Sequence, residues 1–133
     1  MICLTAYHGT QAEFTKLEND HPSPSGLAAG GAGLYFWEDF RLAEPFAGED
    51  GRVIKAEITL HNPAIMQSSQ TPGQEARRAE ARAFSDQLRA AGHDGLIIEH
   101  AHSGREIVVF DPACIRVTDA AMSLADRSAA RQR

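Results

Sequence analysis

The stretch GRVIKAEITL, residues 51 to 60, reads as a strand without help from its surroundings. Val53, Lys55, Glu57 and Thr59 alternate with Ile54, Ala56, Ile58 and Leu60, the period of two of a half-buried strand, and HNP closes it. Upstream, Ile2 to Tyr7 is a short strand, and Thr10 to Leu17 a short helix or turn. GLYFW (33–37) is strand-like in its aromatic content, and EDFRLAEPFAG is a short helix that ends near Pro45 and Gly48. Downstream, Thr71 is a candidate cap, Pro72 suits a first turn and Gln74 completes a T-x-x-Q capping box. Ala76, Ala79, Ala83, Phe84, Leu88 and Ala91 predict one helical face, and Gly92 a stop. DGLIIE, REIVVF and CIRV then predict three short strands, and the tail from Asp119 a polar, fraying helix. Strands, one long helix and more strands at uneven spacing do not make a doubly wound parallel sheet. They make an α+β domain.

Composition agrees with one globular unit. The chain has 133 residues, 43% apolar and 23% charged, with a net charge of -5. That acidity argues against strong nonspecific binding to a phosphate backbone, while leaving room for an enzyme that acts on nucleic acid through a local basic patch. No apolar run approaches a membrane span, and MICLTAYHGT lacks the basic flank and long apolar region of a secretory signal. The expectation is a soluble, cytoplasmic protein with no membrane partner. Cys3 and Cys114 have no metal-ligand spacing and read most simply as free thiols, with a disulfide the lesser reading.

Several residues invite a chemical reading, and each has a plainer one. The first strand runs into His8-Gly9-Thr10; a lone histidine after a strand is more often a turn residue. Tyr35 in LYFW could be an ordinary core aromatic. Glu106 opens the apolar run IVVF, which is costly for a carboxylate unless it sits at the strand mouth or has a partner such as Arg105 or Arg116. EHAH offers Glu99, His100 and His102, but a metal needs ligands from a second locus, with only His93 or His61 to suggest; a polar hairpin loop is the simpler reading. His21, in the Pro/Ser loop, is likewise most simply a loop residue. GLAAGGAG (26–33) is neither a GxGxxG before a helix nor a P-loop. The arginines Arg77, Arg78, Arg82 and Arg89 alternate with Glu75, Glu80 and Asp86 as a solvated face, and Arg127, Arg131 and Arg133 read as a charged chain end.

In order, these features resemble an ADP-ribosyltransferase domain of the His-Tyr-Glu type, the branch of diphtheria-like toxins and poly(ADP-ribose) polymerases, most closely its small bacterial and phage members. The first strand ends in His8-Gly9, GLYF supplies a G-x-Y-F strand, and Phe46 stands eleven positions past Tyr35 where a second aromatic is common. REIVVFDP presents the glutamate, Glu106, and VIKAEITLHNP and GHDGLIIE also match. The resemblance covers residues 2 to 117 or so, with a catalytic domain over 1–118 and a helical tail over 119–133.

The resemblance implies a split β-sandwich of two small antiparallel or mixed sheets with flanking helices. It implies NAD as co-substrate, no metal, and mono-ADP-ribosyl transfer with release of nicotinamide. Glu106 would hold the nicotinamide-ribose hydroxyl and stabilise a cationic sugar, His8 would bind the adenosine-side ribose, and the backbone of Gly9, with Thr10 beside it, would pair with the nicotinamide amide. Tyr35 would stack on nicotinamide and Phe46 would close its other face, without the phenol hydrogen bond of the more usual tyrosine. Gly104, two before Glu106, and the lack of a Ser-Thr-Ser strand disfavour arginine as acceptor. The Gly-rich segment would be a flap beside the NAD site. The acceptor, protein, nucleic acid or small molecule, stays open, as does an antitoxin or immunity partner for a toxin role. NAD hydrolysis, and a non-catalytic module that binds NAD or ADP-ribose, are the alternatives.

Overall fold

The computed structural model describes residues 1–10, 34–71, 78–101 and 104–132. Expectations that fall on the rest lie outside the described residues: the 10–17 helix or turn beyond Thr10, the flap at 26–33, the cap at Pro72 and Gln74, His21, His102 and Arg133. Among the described residues the order is β1 (Ile2–Thr10), β2 (Leu34–Trp37), α1 (Phe40–Ala47), β3 (Arg52–Leu60), β4 (Ala64–Gln67), α2 (Arg78–Ala90), β5 (Gly95–His100), β6 (Gly104–Val109), β7 (Ile115–Asp119) and α3 (Leu124–Arg131). The strands form a mixed sheet in the order β4-β5-β6-β2-β1-β3-β7, antiparallel except at β4–β5.

The alternation in β3 does what the sequence predicts. Val53, Ile54, Ala56, Ile58 and Leu60 are buried, and the second set meets Ala6, Leu34, Phe36, Ile97, Ile107 and Val109 in the main core. These residues come from strands far apart in the sheet order. A side chain at Gly95 of β5 would strike Leu60 of β3, so the two ends of the sheet pack across each other. The join between the halves is a single registered pair, Tyr7 opposite Trp37. Helices cover the opposite strand faces in two separate clusters. In one, Phe84 and Leu88 of α2 cover Tyr35, Leu96, Ile98, Val108 and Phe110. In the other, α1 and the α3 end of the chain cover Tyr7 and Val53 through Phe40, Ala47, Met122 and Ala130.

Local signals explain the helices. The Asp39 carboxylate accepts from the Arg41 amide (3.0 Å) and starts α1. Pro45 does not end this helix, as the sequence suggested; it lies inside it, and Gly48, at φ 64°, is the stop. The buried stripe of α2 is Ala81, Ser85 and Leu88, with Ala79, Ala83 and Ala91 exposed, a rotation from the face read off the alanines. Alanine is small enough to be indifferent to either side, and Ser85 enters the core because its hydroxyl donates to the Arg82 carbonyl (2.9 Å). Thr71 donates to the Ser68 carbonyl (2.8 Å), closing the 3-10 turn Ser68–Gln70. Gly92, at φ +94°, follows α2 as expected.

Two corrections concern the rest. β4 has no counterpart in the sequence reading; AIMQ is too short to show a period, and it is held by parallel pairing with β5. The tail is strand through Asp119 and then a docked helix rather than a fraying one. Arg127 is buried, with Nε on Glu44 (2.9 Å) and Nη2 donating to the Gly48 carbonyl (3.0 Å), while Arg131 pairs with the same carboxylate. Arg131 first, and Arg127 after it, hold the Glu44 carboxyl below its ordinary range. Both cysteines are free thiols, and burial, then Asp94 and Asp111, push Cys114 up. No helix among the described residues is long and apolar enough to cross a membrane.

Candidate active site

Register brings the site together. Trp37 of β2 lies opposite Glu106 of β6, which lies opposite Ile98 of β5, and Tyr7 of β1 lies opposite Trp37. Directly opposed residues point to the same side of a sheet, so Ile98, Glu106, Trp37 and Tyr7 form one row across an outer face. Ile98 belongs to the cluster under α2 and Tyr7 to the cluster under α1 and α3. Glu106 and Trp37 fall between the two helical covers.

Glu106 is only 5% exposed. Burial raises its carboxyl above the ordinary glutamate range, and the hydrogen bond from His100 opposes that rise. The His100 Nε2 lies 3.2 Å from Glu106 Oε1. When Glu106 is ionised it only accepts, so Nε2 then carries the proton. The His100 ring also lies against Trp37, centroids 5.3 Å apart. Arg105 and Arg116, the partners considered for Glu106, are engaged elsewhere. Arg105 makes a two-pronged pair with Glu38 (Nε–Oε1 3.1 Å, Nη2–Oε2 2.5 Å), and Arg116 pairs with Glu57. The Glu38 amide donates to the Arg105 carbonyl (3.0 Å), so β2 and β6 stay laced one residue beyond the Trp37–Glu106 pair.

His8 is buried at the end of β1, on the side of Ala6 and Phe36; its ring centroid is 5.6 Å from that of Phe36. Its Nδ1 is 2.6 Å from the Tyr35 carbonyl oxygen. The carbonyl can only accept, so Nδ1 carries a proton. The β1–β2 ladder registers only at Tyr7–Trp37, and one residue further on an imidazole bridges the strands.

Gly9 has a packing reason to be glycine. A Cβ there would lie 2.0 Å from the Ala43 carbonyl oxygen, because α1 rests on the β1 backbone. Thr10 ends β1 opposite Arg52. Tyr35 is 2% exposed, its ring packed in the cluster under α2. Phe46 is 41% exposed, on the side of α1 away from the buried Phe40, Ala43 and Ala47. The sequence-derived residues therefore separate into Glu106 at the outer row, His8 and Gly9 at the join, Tyr35 within the core and Phe46 at the surface.

Trp37 and His100 were missed by sequence reasoning. Alternation along LYFW puts Trp37 on the side of Tyr35. Pairing of Glu99 with Arg105 across the hairpin would have brought His100 diagonally beside Glu106. EHAH is thus not merely hairpin loop, since Glu99 and His100 lie in β5 and the Gln67 amide donates to Glu99 (3.2 Å). Among the described residues no group of three or more His, Cys, Asp or Glu side chains is placed to hold a metal ion.

Among curated proteins no match to the chain is found. A family sequence model does match, over residues 3–122, a span that takes in β1 from its second residue with His8-Gly9, the β2–β6 row with Glu106, and the other six strands among the described residues. The chain belongs to the family described as ADP-ribosyltransferase in polyvalent proteins.

Proposed function

We propose that this domain cleaves the nicotinamide–ribose bond of NAD and passes the ADP-ribose to a macromolecular acceptor, with Glu106 as the working carboxylate. The observation that carries this reading is a carboxylate buried within β6, across from an aromatic residue of β2, in the segment that matches the family. The nicotinamide of NAD is already cationic and leaves neutral, so no general acid is required and one carboxylate suffices where glycosidases use two. As the bond breaks, positive charge grows on the ribose. A desolvated carboxylate meets that charge with little water to screen it, so its interaction is stronger in the transition state than before it. The ionisation cost that burial imposes on Glu106 is offset as the cation forms.

On this reading the seven strands act as a split β-sandwich, supported by the shared core of the two halves and their single-pair join. NAD is long, and its two riboses are assigned to different strands. His8 takes the adenosine-side ribose, its ring held at the end of β1 by the Nδ1 bond to the Tyr35 carbonyl. Gly9 and Thr10 offer backbone groups to the nicotinamide amide. Phe46 closes over the ligand from α1. Tyr35 keeps its stacking assignment only as a floor, because its ring is packed among core side chains.

The test is incubation with NAD while following free nicotinamide, beside Glu106→Gln. Release should fall on the order of 100-fold or more in the variant while NAD still raises the melting temperature of both proteins. Equal loss of binding and turnover would refute the role of Glu106. Labelled NAD added with a bacterial lysate separates transfer from hydrolysis, and the labelled species shows whether a toxin or phage host-modifying role fits. Absence of release with retained binding would favour the non-catalytic module.

A further inference from the structure

We propose that His100 is a positioning residue for Glu106: it holds one carboxylate oxygen so that the other faces the reacting ribose. The inference rests on the proposed function, in which Glu106 is the working group. His100 ends β5 opposite Gly104, and Glu106 is opposite Ile98, so His100 and Glu106 are diagonal neighbours on one face of the hairpin. His100 Nε2 is 3.2 Å from Oε1, which leaves Oε2 as the oxygen for a ribose hydroxyl. The imidazole does not float over the carboxylate. It is backed by the Trp37 indole at 5.3 Å, and Trp37 is the cross-strand neighbour of Glu106 on the other side. The three groups thus fix one another.

Gly104 suits the hairpin that carries His100 and Glu106: at φ +81° it takes a backbone conformation that side chains resist.

The surrounding charges leave His100 as the described titratable partner of this carboxylate. On β6, Arg105 is tied to Glu38, which follows β2. On β5, Glu99 accepts from Gln67. On β2 the facing residue is Trp37, and on β1 it is Tyr7, whose ring meets Phe40 edge-on. An N–H donor favours the ionised form of Glu106, and a protonated imidazole favours it more, against burial.

Two variants test this. His100→Phe keeps a ring against Trp37 and removes the donor; His100→Gln keeps an amide donor and removes the imidazole. The first readout needs no turnover: the Glu106 carboxyl carbon is titrated by NMR in the protein without NAD. Its midpoint should rise in His100→Phe and rise less in His100→Gln. In nicotinamide release, kcat should fall on the order of 10- to 100-fold in His100→Phe, with KM for NAD little changed and the acid limb moved to higher pH. His100→Gln should recover part of that loss. A Glu106 titration unmoved in both folded variants overturns the inference, as does a loss confined to KM. If the unaltered protein releases no nicotinamide, the proposed function fails, while the carboxyl titration still decides the role of His100.

Discussion

Gly9→Ala separates a packing requirement from a catalytic one. In the folded chain a Cβ at position 9 would sit 2.0 Å from the Ala43 carbonyl oxygen, 3.0 Å from the Ala43 carbonyl carbon and 3.1 Å from the Ala47 amide nitrogen. All three are backbone atoms of α1, so no side chain can swing aside. Relief requires α1 to lift from β1 by more than about 1 Å to reach ordinary contact. That movement pulls on everything anchored to the helix: the Gly51 amide bond to the Ala47 carbonyl (2.9 Å), the Arg127 clamp on Glu44 and Gly48, and the Phe40 contact with Tyr7. Overpacking a core that can adjust costs about 1–3 kcal/mol, and an obstacle made of clamped backbone belongs at the upper end. At ~3–5 °C per kcal/mol for a domain of this size, the melting temperature should fall by ~10–15 °C. Circular dichroism at 222 nm during heating, without NAD, reads this directly. A melting temperature within ~2 °C of the unaltered protein would refute the reasoning, and glycine at position 9 would then have to be explained by ligand contact alone.

Two further outcomes concern charge. Glu44→Gln removes the carboxylate from a buried Arg127 and should cost about 2–4 kcal/mol in urea unfolding near neutral pH. Because Arg131 and Arg127 depress the Glu44 carboxyl, that contribution is present above the ordinary glutamate range and disappears as pH falls through the depressed value, so the two proteins should converge in acid. Glu106 has the opposite sign: burial raises its carboxyl, so its cost is absent below the ordinary range and grows as pH rises through the raised value. Glu106→Gln should therefore match the unaltered protein near pH 4 and melt above it at neutral pH; equal melting temperatures at both ends would count against a desolvated carboxylate.

How much of this was legible depended on whether a feature is local. β3 declares itself because eight consecutive residues, Val53 to Leu60, alternate, and Gly48 and Gly92 mark helix ends because a positive φ is a property of one residue. The resemblance to ADP-ribosyltransferases was legible in the same way, from short motifs in order. What sequence could not give was the partner of each face. The stripe of α2 was misplaced because alanines satisfy either side, and the exposed Arg89 also lies 5.0 Å over the Phe110 ring, a contact its charge pattern does not reveal. Arg127 looked like a charged chain end because the carboxylate it pairs with, Glu44, lies 83 residues earlier.

The candidate site shows the same limit in its sharpest form. His8-Gly9 drew attention as a pair, yet its two members answer to different constraints: His8 bridges diverging strands through the Tyr35 carbonyl, and Gly9 admits a helix. A motif of adjacent residues can therefore be fixed by folding even where chemistry also uses it, and loss of activity on changing it says little by itself. Glu106 is the reverse case. Nothing in the packing asks for a carboxylate between Ile98 and Trp37, and burial works against its ionisation. A group that the fold tolerates at a cost, and that a neighbouring imidazole partly compensates, is the kind of residue whose presence is explained by what it does rather than by what it holds together.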